Sequence, residues 1–554
     1  MEFNFSDVHE AIARAIPERE ALVFRDRRFT YGQVAERSRR LANYLLSRGI
    51  SIERERSRLA GHESGQGHLA LYMYNGNEYL EGMLGAFKAR AASLNVNYRY
   101  VEEELLYLFE NSRARALMYH SVFADRVAAV REKLPRLEVL IQVADESGNA
   151  LLPGAVDYEQ ALAASSSDLP DLKPSPDDLY ILYTGGTTGM PKGVLWRSAD
   201  IFVAAMGGRK GGAAEFESLE EIAEGVAGGG SIRTLVGPPL MHGAAQWASF
   251  MMMTMGATLI IPGVVEKLDP DDLLSTVERE KCISFSIVGD AFARPIIDQL
   301  DKKAYDLSRL MVIGSGGAPL STANKEAFLE RIPQATIMDA IGSSETGAQA
   351  TNPSTKQTGV STGDFKPGPG ACVVSESMDE ALSPADTDAG GAGVVGPMGW
   401  FAQTGRVPLG YLGDPDKTAR TFPVIDGVRY SVPGDRARYR PDGSIEVLGR
   451  DSVTINSGGE KIFAEEVEQA LKQHPDVYDT VVAGRPSPRW GQEVVAIVRL
   501  RAGATTGAAE LLAEAGKHVA RYKLPKVFVF RDEIQRSPSG KADYRWAAEQ
   551  ATTD

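Results

Sequence analysis

The chain has 554 residues, 43% of them apolar, which is ample for a large core and more than one compact domain holds, so two or three domains are expected. A formal charge of -14, with the basic residues spread along the sequence, leaves no basic field for nucleic acid. Cys282 and Cys372 are far apart and exclude a disulfide framework or a cysteine metal site, while the seven histidines show no ligand spacing.

The opening MEFNFSDVHEAIARAIPERE carries acids and lacks the apolar stretch of a signal peptide, which fits a cytoplasmic protein. Strand-like segments LYILYT, ATLII, ISFSIV, LMVIGS and ATIMDAI alternate with the amphipathic helices DDLLSTVEREK and STANKEAFLERI, the second capped by Ser321. That alternation implies α/β layers with mostly parallel sheet. The uncharged run from Ala248 to Val265 is interrupted by Gly256, Pro262 and Gly263, so it reads as a buried helix followed by a strand rather than a stable membrane insertion. The Gly-rich stretches 207–230 and 390–396, and the polar SIERERSRLAGHESGQG, read as surface loops.

Near residue 430 the pattern becomes RYSVPGDRARYRPDGSIEVLGRD, an antiparallel hairpin around a PDG turn. A boundary just beyond it divides residues 1–450 from a small α+β domain at 451–554, built from AEEVEQALKQ, DTVVAG, EVVAIVRL, ELLAEAGKHVARY and KVFVF. The expected fold class is α/β: a large N-terminal region of several subdomains with layered sheets, followed by the small C-terminal domain.

The most informative segment is LYILYTGGTTGMPKGV, a strand that runs into Thr184, Gly185, Gly186, Thr187, Thr188 and Gly189, with Lys192 beyond. Glycines let backbone N–H groups converge on an anion, threonine hydroxyls add donors and lysine adds charge, so this is a polyphosphate loop. It is not the Walker pattern, because Pro191 precedes Lys192 and no Ser or Thr follows it.

The whole segment resembles the signature loop of the adenylate-forming superfamily, which includes acyl-CoA synthetases, luciferases and peptide-synthetase adenylation domains. The family's other motifs follow in order. SGGAPLS resembles the adenine-side loop, with Gly316, Gly317 and Ala318, and IGSSETG resembles the motif whose glutamate, here Glu345, helps hold Mg²⁺, with Thr184 as a second ligand. Asp339, just before that motif, and Ser344, within it, are assigned with it to the nucleotide. VPGDRARY places Asp435 at the family's ribose-binding aspartate, Arg450 matches its nucleotide-contacting arginine, and RSPSGKADYRW puts Lys541 at its adenylation lysine.

The resemblance further implies a mobile C-terminal domain that exchanges Lys541 for a pantetheine tunnel lined by Gly458 and Gly459. The hinge falls on Asp451 or Ser452. PPLMHGAAQW matches the acyl-pocket region, which assigns His242 at the pocket entrance, with Trp247 and Gly289 beside it.

The implied activity is that of an AMP-forming acid–thiol ligase using ATP, Mg²⁺ and coenzyme A, with a fatty or steroid side-chain acid as leading substrate and a homodimer compatible with it. The competing readings are an aryl or short-chain acid ligase, an enzyme that stops at acyl-AMP, and an inactive nucleotide-binding relative. Two chance patterns carry no function: GxSxG at Gly359, Ser361 and Gly363 lies in a polar loop, and GxGxxG at Gly391, Gly393 and Gly396 is followed by Pro397 where a helix would begin.

Overall fold

The computed structural model describes residues 2–184, 190–211, 214–384, 395–457, 460–537 and 540–553. Gly391 and Gly393 therefore lie outside the described residues. Among those described, the chain forms three large sheets. The first has a parallel centre in the order Glu20–Phe24, Thr258–Ile261, Arg233–Val236, Ser284–Ile287, Val312–Gly316 and Thr336–Ser343, continued by antiparallel strands that include the hairpin of Asp435–Tyr439 and Ile445–Arg450.

The second sheet is parallel from Leu179–Thr184 to Ala155–Asp157 and ends in two antiparallel strands, Lys192–Arg197 and Gly410–Tyr411. The helices Phe5–Ala15, Tyr31–Ser47, Asn77–Lys88 and Gly243–Thr254 pack between these two sheets. Leu22 and Leu259 from the first and Leu71, Leu182 and Trp196 from the second share one core with them. Strands covered on both faces are apolar along their whole length, which is why LYILYT and ATLII were legible as sheet.

The third sheet, Thr454–Ser457, Glu460–Phe463, Val477–Ser487, Gly491–Leu500 and Val527–Phe530, has its own cores, formed with the helices Ala464–Leu471, Ala508–Ala515 and Tyr544–Ala551. The helix expected over ELLAEAGKHVARY stops at Ala515, because Gly516 is a poor helix former and follows immediately.

Two sequence expectations meet different outcomes. The uncharged run is the helix Gly243–Thr254 followed by the strand Thr258–Ile261, and among the described residues no helix is long and apolar enough to cross a membrane. Residues 207–230, expected as a surface loop, instead form a short hairpin, Arg209–Lys210 with Ala214–Glu215, and the helix Leu219–Gly228. Ser218 caps that helix by accepting from the Glu221 amide, and Ile222 and Val226 enter the core, contributing on the order of 3–5 kcal/mol by burial.

Candidate active site

Thr184 and Lys192 stand opposite each other where the antiparallel strands Leu179–Thr184 and Lys192–Arg197 open into their connecting loop. Gly185, Gly186, Thr187, Thr188 and Gly189 lie outside the described residues, as do Gly458 and Gly459. Lys192 pairs with Asp414 at 2.5 Å, and Asp414 also caps the helix Pro415–Thr421 by accepting from the Lys417 amide.

Beside this pair, Glu345 sits in the tight turn that leaves the strand Thr336–Ser343. Its amide donates to Ser343 Oγ, its carbonyl accepts from Ser431 Oγ at 2.6 Å, and its carboxylate accepts from the Tyr411 hydroxyl at 2.7 Å. Burial, and then the negative charge of Glu345, raise the Tyr411 pKa, so the phenol stays a donor. Lys417 lies 4.4 Å above the Tyr411 ring, and burial followed by the like charge of Lys192 lowers its pKa. Ser344 contributes its carbonyl, which accepts from the Trp196 indole at 2.8 Å.

Asp435 and Arg450 pair in register across their hairpin, with Nε 3.3 Å from the carboxylate. Lys541 is solvent-exposed, with Arg450, Glu345 and Asp435 close enough for their charges to act on it. Desolvation and then the charge of Arg450 lower its pKa, while the two carboxylates oppose that shift. His242 precedes the helix Gly243–Thr254, and its pKa is pushed down to about 3 by burial, then by Lys541 and Arg99, so it is neutral near pH 7. Its Nε2 is a buried atom with no hydrogen-bond partner.

The remaining assigned residues divide between this cleft and its supports. Gly316 ends the strand Val312–Gly316, and Gly317 follows at φ +83°, a conformation that favours glycine. Gly289 packs on the backbone of this loop: a Cβ there would fall 2.8 Å from the Ala318 carbonyl oxygen and 2.4 Å from that of Pro319. Asp339 is enclosed in an ion pair with Lys325 at 2.9 Å, both nearly inaccessible, and burial raises its pKa. Trp247 is packed in the core between the sheets. Of the two residues expected at a hinge, the Asp451 carboxylate lies 3.7 Å from buried Arg436, while Ser452 is exposed.

A largely apolar cavity of about 1310 Å³ opens alongside. Val203, Ala204, Phe216, Ile222, Met251 and Met255 line it, together with Thr346 and Ala348, which flank the glutamate turn. His242, Trp247 and Gly289 are not among its lining residues, although Met251 and Met255 lie on and just after the helix that carries Trp247. Sequence reasoning missed this cavity and also Tyr411, Asp414 and Lys417, for which the only local sign was the helix-starting DP of Asp414 and Pro415.

The family model described as AMP-binding enzyme matches residues 9–395, and that of the AMP-binding enzyme C-terminal domain matches residues 466–541. The chain belongs to the AMP-binding enzyme family. A medium-chain acyl-CoA ligase of Mycobacterium avium is 56% identical over 550 residues, 99% of this chain and 98% of the relative. A ligase of Mycolicibacterium smegmatis named for medium/long-chain fatty acids and 3-oxocholest-4-en-26-oate is 41% identical, covering 99% of this chain and 96% of that one. Among solved structures, an anthranilate CoA ligase in complex with anthranoyl-AMP shares the fold with a TM-score of 0.81 at 21% identity, covering 100% of this chain and 98% of its own. The matched segments of this AMP-binding enzyme contain Glu345 in the first and Lys541 at the end of the second.

Proposed function

We propose that this protein is an ATP-dependent acyl-CoA synthetase: a carboxylate oxygen attacks the α-phosphorus of ATP, pyrophosphate leaves, and the thiol of coenzyme A then displaces AMP from the acyl carbon. The observation that carries the reading is the placing of Lys541 within electrostatic reach of Glu345 and of the paired Asp435 and Arg450. Bringing a carboxylate to a phosphate demands that like charges be neutralised at the reacting centre, and a preformed cluster of cations and oriented carboxylates supplies this.

In this reading Asp435 accepts from the ribose hydroxyls, Arg450 and Lys192 face phosphate oxygens, and Lys541 spans the carboxylate and the nucleotide. Gly316, Gly317 and Ala318 border adenine. Neutral His242 flanks the acid without taking its proton. The residues fit a hard divalent cation: Glu345 offers a carboxylate oriented by Tyr411, and Thr184 a hydroxyl, the oxygen set that Mg²⁺ takes alongside substrate phosphates. When bound, Mg²⁺ would neutralise phosphate oxygens. Residues 1–450 hold the nucleotide and acid, and 451–554 form the moving domain, with Asp451 favoured as hinge by its contact to Arg436.

The cavity favours a fatty or steroid side-chain acid over an aryl or short-chain one. The helix Gly243–Thr254 runs from His242, at the proposed carboxylate end, to Met251 and Thr254 on the cavity wall. The names of the Mycobacterium avium and Mycolicibacterium smegmatis relatives agree with such acids. Two free cysteines suit a cytoplasmic setting, and since every residue of the site comes from one chain, a homodimer would carry two complete sites.

The test is Lys541→Ala assayed in both half-reactions. Acyl-AMP formation should nearly vanish while thioester formation from supplied acyl-AMP persists. Equal loss in both would refute the role of Lys541.

A further inference from the structure

The helix Gly289–Leu300 belongs to the N-terminal region, yet its first turns meet the C-terminal unit. Asp290 and Arg294, 2% and 4% exposed, bond each other at 2.9 Å. Arg294 reaches Asp479 of the C-terminal sheet at 2.9 Å, and Lys472 lies 3.3 Å from Asp290. Asp479 holds Arg536 through two bonds of 2.7 Å. Arg536 then donates from Nη1 to the carbonyl of Gly540 at 3.1 Å, the residue immediately before Lys541.

Gly540 itself rests on the start of the same helix. Its φ is +72°, and a Cβ there would lie 3.0 Å from Ala291 Cβ and 3.3 Å from the Val288 carbonyl oxygen. The opposite side of that helix start, at Gly289, packs on the carbonyls of Ala318 and Pro319 in the adenine-side loop. One helix therefore registers both the lysine loop and the proposed nucleotide loop.

Buried ion pairs add little net stability over apolar packing, but their bonding is directional and fixes geometry. Here the ion pair of Arg294 with Asp479, followed by the hydrogen bonds of Arg536 to Asp479 and Gly540, ends on the backbone that carries Lys541. We propose that Arg294, Asp479 and Arg536 are positioning residues that lock Lys541 into its place for acyl-AMP formation and are dispensable for the thioester step. The proposal rests on the reading of Lys541 as the adenylation lysine.

The test uses the full-length enzyme with Arg294→Met, which leaves the Asp479–Arg536 and Asp290–Lys472 pairs standing, and Arg294→Lys, which keeps the charge. Acid-dependent pyrophosphate release reports acyl-AMP formation, acyl-CoA made from supplied acyl-AMP reports the second step, and a melting curve reports the fold. Arg294→Met should slow the first step by roughly 30- to 100-fold, the scale of misplacing a reacting group, while the second stays nearly unchanged and Arg294→Lys recovers part of the loss. Equal loss in both steps, or undiminished acyl-AMP formation, would overturn the proposal.

If Arg294→Met does not fold, Asp479→Asn gives the same comparison from the other side of the interface. Lys541→Ala in parallel separates the two claims. Full acyl-AMP formation by Lys541→Ala sinks the reading of the lysine, whereas its loss there but not in Arg294→Met sinks only the positioning series.

Discussion

Asp435 and Arg450 face each other across an antiparallel hairpin, carboxylate to guanidinium at 3.3 Å, in a register set by backbone pairing. The acceptor is thus oriented before any nucleotide arrives. A hydrogen bond to a charged group is worth about 1.5–3 kcal/mol, so Asp435→Ala should raise KM for ATP roughly 10- to 100-fold while moving KM for the acid little. An unchanged KM for ATP would remove Asp435 from the nucleotide site.

Tyr411 donates to the Glu345 carboxylate and cannot ionise easily in its buried setting. Residues that orient a metal ligand tune its affinity. Tyr411→Phe should shift the magnesium concentration for half-maximal rate upward roughly three- to tenfold, read from a magnesium titration at saturating ATP. A superimposable titration would contradict the assignment of Glu345 to the metal.

Ala348 lines the cavity from an exposed position, so a larger side chain there fills space without disturbing the core. Ala348→Trp should cost long-chain and steroid acids at least about tenfold in kcat/KM and spare short acids. Equal effects on every chain length would place the acyl group elsewhere.

Glu465 packs against the strand Ile445–Arg450, where a Cβ on Gly449 would fall 2.4 Å from its Oε2. Burial, and then the charge of Glu468, push its carboxyl from the ordinary 4.5 up to about 8. The folded protein therefore keeps a proton that the unfolded chain releases above about pH 4.5. The stability this group contributes is complete below pH 4.5 and lost as pH rises through about 8. Glu465→Gln should raise the thermal midpoint by on the order of 2–4 °C at pH 9 and leave it nearly unchanged at pH 5. The same shift at both pH values would show that the effect is not proton-linked.

The strands from LYILYT to ATIMDAI, the Ser321 cap and the 435–450 hairpin were legible because each follows from local periodicity or turn chemistry. The cavity was not, since its walls come from segments between residues 197 and 429 that meet only on folding. The Gly-rich composition of 207–230 concealed a helix whose stability comes from burying Ile222 and Val226. Tyr411 and Asp479 carry no motif that this reading used, and Arg294 and Arg536 lie in segments read for Gly289 and Lys541 rather than for themselves. Each is an ordinary residue type whose meaning lies in a partner between 57 and 185 positions away.

The most direct measurement is ATP-to-AMP conversion with magnesium across fatty, steroid, aryl and short-chain acids, run with and without coenzyme A. The account predicts acid-dependent AMP with the long apolar acids and a thioester that forms only when coenzyme A is present. Acyl-AMP that never yields thioester, or no AMP with any acid, would contradict it.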